Sequence, residues 1–137
     1  MTLPDLMTDR WARRPDPAPG QRTLYWHVLM RDNPQVGGLA SRARQVLAPF
    51  TGLHMTPPEW LHMTIHVAGP ADNFSDQQMQ HMAVVASDYL ASVPPVTFSL
   101  GKILYHPEAI MLAVAPVGDL TPIRAAALAA TNAVVSP

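Results

Sequence analysis

The sequence predicts an α+β fold in which an antiparallel or mixed sheet carries helices on one face. Three observations lead there. Residues 60–67, Trp-Leu-His-Met-Thr-Ile-His-Val, alternate as a half-buried strand does. Two stretches with helical spacing of apolar residues follow the first two strand-like runs. Two further strand-like runs, 96–104 and 109–115, flank the turn residues His106-Pro107-Glu108 and suggest a hairpin. The resulting order is β-α-β-α-β-β-α.

Taken along the chain, residues 1–22 form a leader rich in proline and arginine, and 23–137 form one domain. Pro15, Pro17, Pro19 and Gly20 exclude regular structure near the leader's end. The leader holds Arg10, Arg13, Arg14 and Arg22, four of nine basic residues. It is read as a loosely packed arm rather than an anion clamp, because clustered charges are usually solvated. Thr23 to Met30 is the first strand, with Tyr25, His27 and Leu29 on one face. Asn33 caps a helix that has Pro34 in its first turn. Val36, Leu39, Ala40, Ala43, Val46, Leu47 and Phe50 form its apolar stripe, and Pro49 and Gly52 close it.

The strand at 60–67 ends at a Gly69-Pro70 turn. Ser75, with Gln78 three residues on, is a capping box for the second helix. Its stripe is Met79, Met82, Ala83, Ala86, Tyr89 and Leu90, and His81 falls on the solvated side. Thr121-Pro122 opens a last helix with Ile123, Ala127, Ala130 and Val134 facing inward.

A chain of 137 residues can bury one core. Hydrophobic residues make up 48% and charged ones 14%, a globular rather than a disordered composition. Net charge is −1 and the pI about 6.6, so no global basic field favours duplex DNA. Cysteine is absent, which removes disulfides and thiolate metal sites. No apolar run reaches membrane-spanning length and no signal-peptide core is present, so a cytoplasmic protein without a membrane partner is expected.

The chemistry gathers on residues 62–66. On a strand, His62, Thr64 and His66 share one face while Met63, Ile65 and Val67 share the other. Two residues of strand advance about 6.7 Å. A small tetrahedral anion could therefore touch both His62 and Thr64. His27 from the first strand, and Thr97 and Ser99 from the third, would extend that face into the floor of a cleft.

His62-Met63-Thr64-Ile65, after an aromatic residue and before a glycine turn, resembles the H-x-T-h motif of the two-histidine phosphoesterases. That family includes the 2′-5′ RNA ligase-like proteins and the RNA 2′,3′-cyclic phosphodiesterases. The leader, the strand Leu24-Tyr25-Trp26-His27-Val28 and the later Pro-Glu-Trp-Leu-His-Met-Thr are similar in order to its actinobacterial branch. The resemblance implies hydrolysis of 2′,3′-cyclic or 2′-5′ phosphodiesters by histidine acid–base catalysis, with no metal and no cofactor. It implies His62 as a catalytic imidazole, Thr64 as the phosphate ligand beside it, and an RNA end or small nucleotide as the partner. His27, His66, Thr97 and Ser99 are candidate substrate-binding residues.

The family pairs two such motifs from two halves of its fold, and no second one follows Leu104. His54-Met55-Thr56 is a poor substitute. It lies in a proline-bounded loop, too close in sequence to supply an opposed strand. The chain is therefore expected to hold most of the family fold truncated at its C-terminus, to use His27 or His66 instead, or to complete the site as a homodimer. A non-catalytic single-motif protein that binds a nucleotide or RNA end is the competing reading. A His62–His66 metal pair is disfavoured, because i and i+4 on a strand lie about 13 Å apart.

Overall fold

The structure is a computed structural model that describes residues 5–10, 12 and 20–135. Trp11, Arg13 and Arg14 of the leader lie outside them. The chain is α+β. Strand β1 (Thr23–Leu29) precedes helix α1 (Pro34–Leu47), strand β2 (His62–Pro70) and helix α2 (Asp76–Leu90). Strands β3 (Ser99–His106) and β4 (Ala109–Ala115) and helix α3 (Thr121–Val135) follow. Three single-turn 3-10 segments, at Pro58–Trp60, Ala71–Asn73 and Val117–Leu120, lie between them.

The strands form two sheets of two strands each, β1 with β2 and β3 with β4, where the sequence suggested one. Alternation marks a strand but does not say which strand it pairs with, and pairing decides the sheet. The residues group into two compact units. One is Leu24–Gly69; the other joins the residues up to Thr23 to those from Pro70 onward.

In the second of these units, α2 and α3 pack together and hold most of the buried side chains. Met82 and Ala86 of α2 and Ala126, Ala127, Ala130 and Thr131 of α3 are buried. Ala130 is wholly inaccessible. Small side chains let two helix backbones approach closely. The buried Thr131 hydroxyl is satisfied by donating to the Ala127 carbonyl one turn back, at 2.9 Å. The buried patch sits one position away from the expected stripe at Ala126 and Thr131. At the other end of α2 Tyr89 and Leu90 are exposed.

The capping box at the start of α2 is complete. Ser75 Oγ accepts from the Gln78 N–H at 3.1 Å, and Gln78 Oε1 accepts from the Ser75 N–H at 2.9 Å. Gln78 Nε2 also donates to the Val134 carbonyl near the end of α3, at 3.3 Å. The Ser75→Ala variant should lose about 1 kcal/mol of stability, read as a lower urea midpoint at constant slope. An unchanged midpoint would show that the box contributes nothing.

The β3–β4 hairpin is antiparallel, with Ser99 opposite Ala115 and His106 opposite Ala109, and its register shifts between Leu100 and Ile103. His106 closes β3, and its Nδ1 accepts from the Glu108 N–H across the turn at 3.2 Å. The leader is not wholly free of contacts, since the Thr8 N–H donates to the Pro107 carbonyl of that turn at 2.7 Å.

In the Leu24–Gly69 unit, Asn33 caps α1 by accepting from the Gln35 and Val36 N–H groups. Arg44 on α1 donates to the Thr56 carbonyl and ties the following loop to the helix. Alternate residues of β1 are half-buried (Leu24, Trp26, Val28) or exposed (Thr23, Tyr25, His27, Leu29).

Candidate phosphate-binding face

β2 starts later than the sequence suggested. Trp60 belongs to the 3-10 turn after Pro57-Pro58, and the strand begins at His62. It also continues through Gly69 and Pro70, which were expected to turn the chain. An edge strand tolerates proline because one of its sides makes no ladder bonds.

The Met30 N–H donates to the Leu61 carbonyl at 3.0 Å, which sets the antiparallel register at one end of β1–β2. That bond places the end of β1 beside the start of β2, where the His27 and His62 rings meet. His62 and Thr64 are both exposed, and Met63 and Ile65 are half-buried. The expected His62–Thr64 face therefore exists, and Tyr25 and His27 of β1 share it.

The alternation fails one step later. His66 is half-buried and Val67 is 48% exposed, the reverse of the expected pattern. The hydrogen bonds suggest the cause. The Ala71 N–H donates to the Arg22 carbonyl at 2.7 Å. From Leu61 to Ala71 the chain advances ten residues, while from Met30 to Arg22 it advances only eight. Two residues must be absorbed by an irregularity on the β2 side, as in a bulge. Gly69, at φ 137°, lies within that stretch in a conformation that other residues rarely adopt. His66 is thus not presented alongside His62 and Thr64 as expected.

Thr97 and Ser99 also depart from expectation. Thr97 precedes β3 and is not on a strand, and Ser99 is the first residue of β3. Both belong to the unit that begins again at Pro70, not to the unit that holds His62. His54 and Thr56 are exposed in a loop. An open groove is found between α2 and α3. It has a volume of about 520 Å³ and is lined by Gln77, Gln78, His81 and Val84 of α2 and Val134 of α3.

Two histidines do meet. The rings of His27 and His62 stack, with centroids 4.0 Å apart and planes 15° from parallel. Tyr25 is a second ring neighbour of His27, at 5.2 Å and 30°. Aromatic side chains on paired strands are within reach of one another. Nδ1 of His62 lies 2.7 Å from the Trp60 carbonyl. A carbonyl can only accept, so Nδ1 carries the hydrogen and donates it. In the neutral ring Nε2 then holds the free lone pair.

Burial, and then the charge of His62, push the pKa of His27 below the ordinary histidine value of 6.5. The unfolded chain therefore takes up the His27 proton more readily than the folded chain does. The stability tied to this group is fully present above 6.5 and is lost as pH falls through the lowered folded value. In a proton NMR titration His27 should titrate below 6.5, and the His62→Gln variant should move it back upward. A His27 midpoint that ignores the His62 substitution would contradict the stacked arrangement.

Tyr25 and the Trp60 carbonyl are the participants that sequence reasoning missed. Tyr25 was findable, because period-two alternation already puts it on the His27 face. A backbone carbonyl leaves no residue-type signal. Among the described residues no group of three metal-ligating side chains occurs, and no helix is long and apolar enough to cross a membrane. No family model, curated protein or solved structure matches the chain.

Proposed function

We propose that this chain is a two-histidine phosphoesterase-like protein acting on 2′,3′-cyclic or 2′-5′ phosphodiester ends of RNA or small nucleotides. The observation that carries the reading is the exposed His62, with Nδ1 held by the Trp60 carbonyl and Thr64 two residues along the same open strand face. Water attacks phosphorus, the P–O bond to one ribose oxygen breaks, and a phosphomonoester and a free hydroxyl result. His62 Nε2 is the nitrogen available to take the proton from water or to return it to the leaving oxygen. The Thr64 hydroxyl donates to a phosphoryl oxygen, and no metal is invoked. The test is hydrolysis of a 2′,3′-cyclic nucleotide in the presence of a chelator. No turnover by the full chain, alone or at concentrations that favour a homodimer, would remove the catalytic reading.

A second reading is favoured by the stack itself. Parallel rings 4.0 Å apart leave no room for phosphate between them. His27 and His62 therefore approach a ligand from the same side and do not oppose each other across it. One proton-transfer group with a neighbouring hydroxyl also suits a protein that binds a nucleotide or RNA end without cleaving it. On this reading Thr64→Val weakens nucleotide binding severalfold, seen as a smaller ligand-induced rise in melting temperature. An equal rise in the variant and the parent would exclude Thr64 from the site.

A further inference from the structure

The His27–His62 stack also bears on which charge state of phosphate the face would take. Its two rings lie nearly parallel at 4.0 Å, so protonating both brings two like charges together. Tyr25 is the titratable neighbour on β1 and His62 the one on β2. Burial, and then the His62 charge, both act to lower the pKa of His27. Among the described residues neither His27 nor His62 forms a salt bridge with a carboxylate. The stack thus has capacity for a second proton but no counter-charge of its own.

We propose that the His27–His62 pair is a proton-coupled receptor for a dianionic tetrahedral oxyanion, the charge state of a terminal phosphomonoester. The inference rests on reading the His62–Thr64 face as a phosphate site. The anion supplies the missing counter-charge, so its arrival draws a further proton onto the pair. His62 keeps its Nδ1–H on the Trp60 carbonyl and, when charged, turns an Nε2–H outward. Thr64, exposed two residues from His62 on β2, adds a neutral donor. A monoanionic diester matches only one of the two charges. The face therefore holds a dianionic monoester product more tightly than a diester substrate, increasingly so as pH falls toward the monoester's own second pKa of about 6.

Sulfate tests this on the intact chain, because it stays a dianion across the range and any pH dependence belongs to the protein. Calorimetric titration near pH 6.5 in two buffers of different ionisation enthalpy counts the protons taken up. Up to one proton per sulfate is expected. Affinity should rise by as much as tenfold per pH unit between 7.5 and 6.5, against sodium chloride at equal ionic strength. His27→Gln, checked for folding by circular dichroism, should bind sulfate more weakly and take up fewer protons per sulfate than the parent, since only His62 remains to be charged.

Sulfate binding without proton uptake, or no binding beyond the chloride control, overturns the proposal. Unaltered uptake in His27→Gln does so as well. The catalytic reading fails separately. A chain that takes up protons with sulfate but never cleaves a cyclic phosphate would lose its role as a phosphodiesterase and keep this receptor.

Discussion

Replacing His62 with alanine should lower metal-independent hydrolysis of a 2′,3′-cyclic nucleotide phosphate by a factor on the order of 10²–10⁴, the usual worth of one acid–base group. The loss should fall on kcat more than on KM, because Thr64 still reaches the phosphoryl oxygens. His54→Ala is the matched control. It removes a histidine from the chance His-x-Thr in the loop and should leave turnover as it was. Equal turnover in parent and His62→Ala would end the assignment of His62 as a proton-transfer group, whatever the fold.

The Met82→Ala variant should cost about 2–5 kcal/mol of folding stability. Met82 is 4% exposed, on a helix that packs against α3. Truncating it leaves a void in an interior where the buried residues of α3 are alanines and a threonine, too short to fill it. Val84, two residues on and 56% exposed, is the comparison. Val84→Ala should stay within about 0.5 kcal/mol, as surface changes usually do. Urea unfolding of the two variants side by side decides it. Similar midpoints would mean that the α2–α3 contact is not where the stability lies.

Local chemistry was the most legible part of the sequence. Asn33 with Pro34, and Ser75 with Gln78, mark the starts of α1 and α2 because a cap is made within four residues. β4 has the limits its alternation suggested. Features that depend on a distant partner were less legible. Trp60 looks like strand until Pro57-Pro58 set up a 3-10 turn, and Thr97 looks like strand although β3 starts at Ser99.

His66 follows the alternation faithfully in sequence. It is displaced because β1 and β2 differ in length between their end bonds, and no single segment encodes that mismatch. In the candidate site, the exposure of His62 and Thr64 could be read from period two. The contact of His27 with His62 could not, since it requires the register between strands more than thirty residues apart.

The interior packed with alanine has a thermodynamic signature. Among the described residues no large side chain is fully buried, while Phe50, Trp60 and Val46 stay largely in solvent. Unfolding therefore uncovers little new apolar area for a chain of this length. The heat-capacity increment should fall below the roughly 12–15 cal/mol/K per residue of ordinary globular domains. A broad, shallow calorimetric transition, with a flat dependence of stability on temperature, is what that architecture produces.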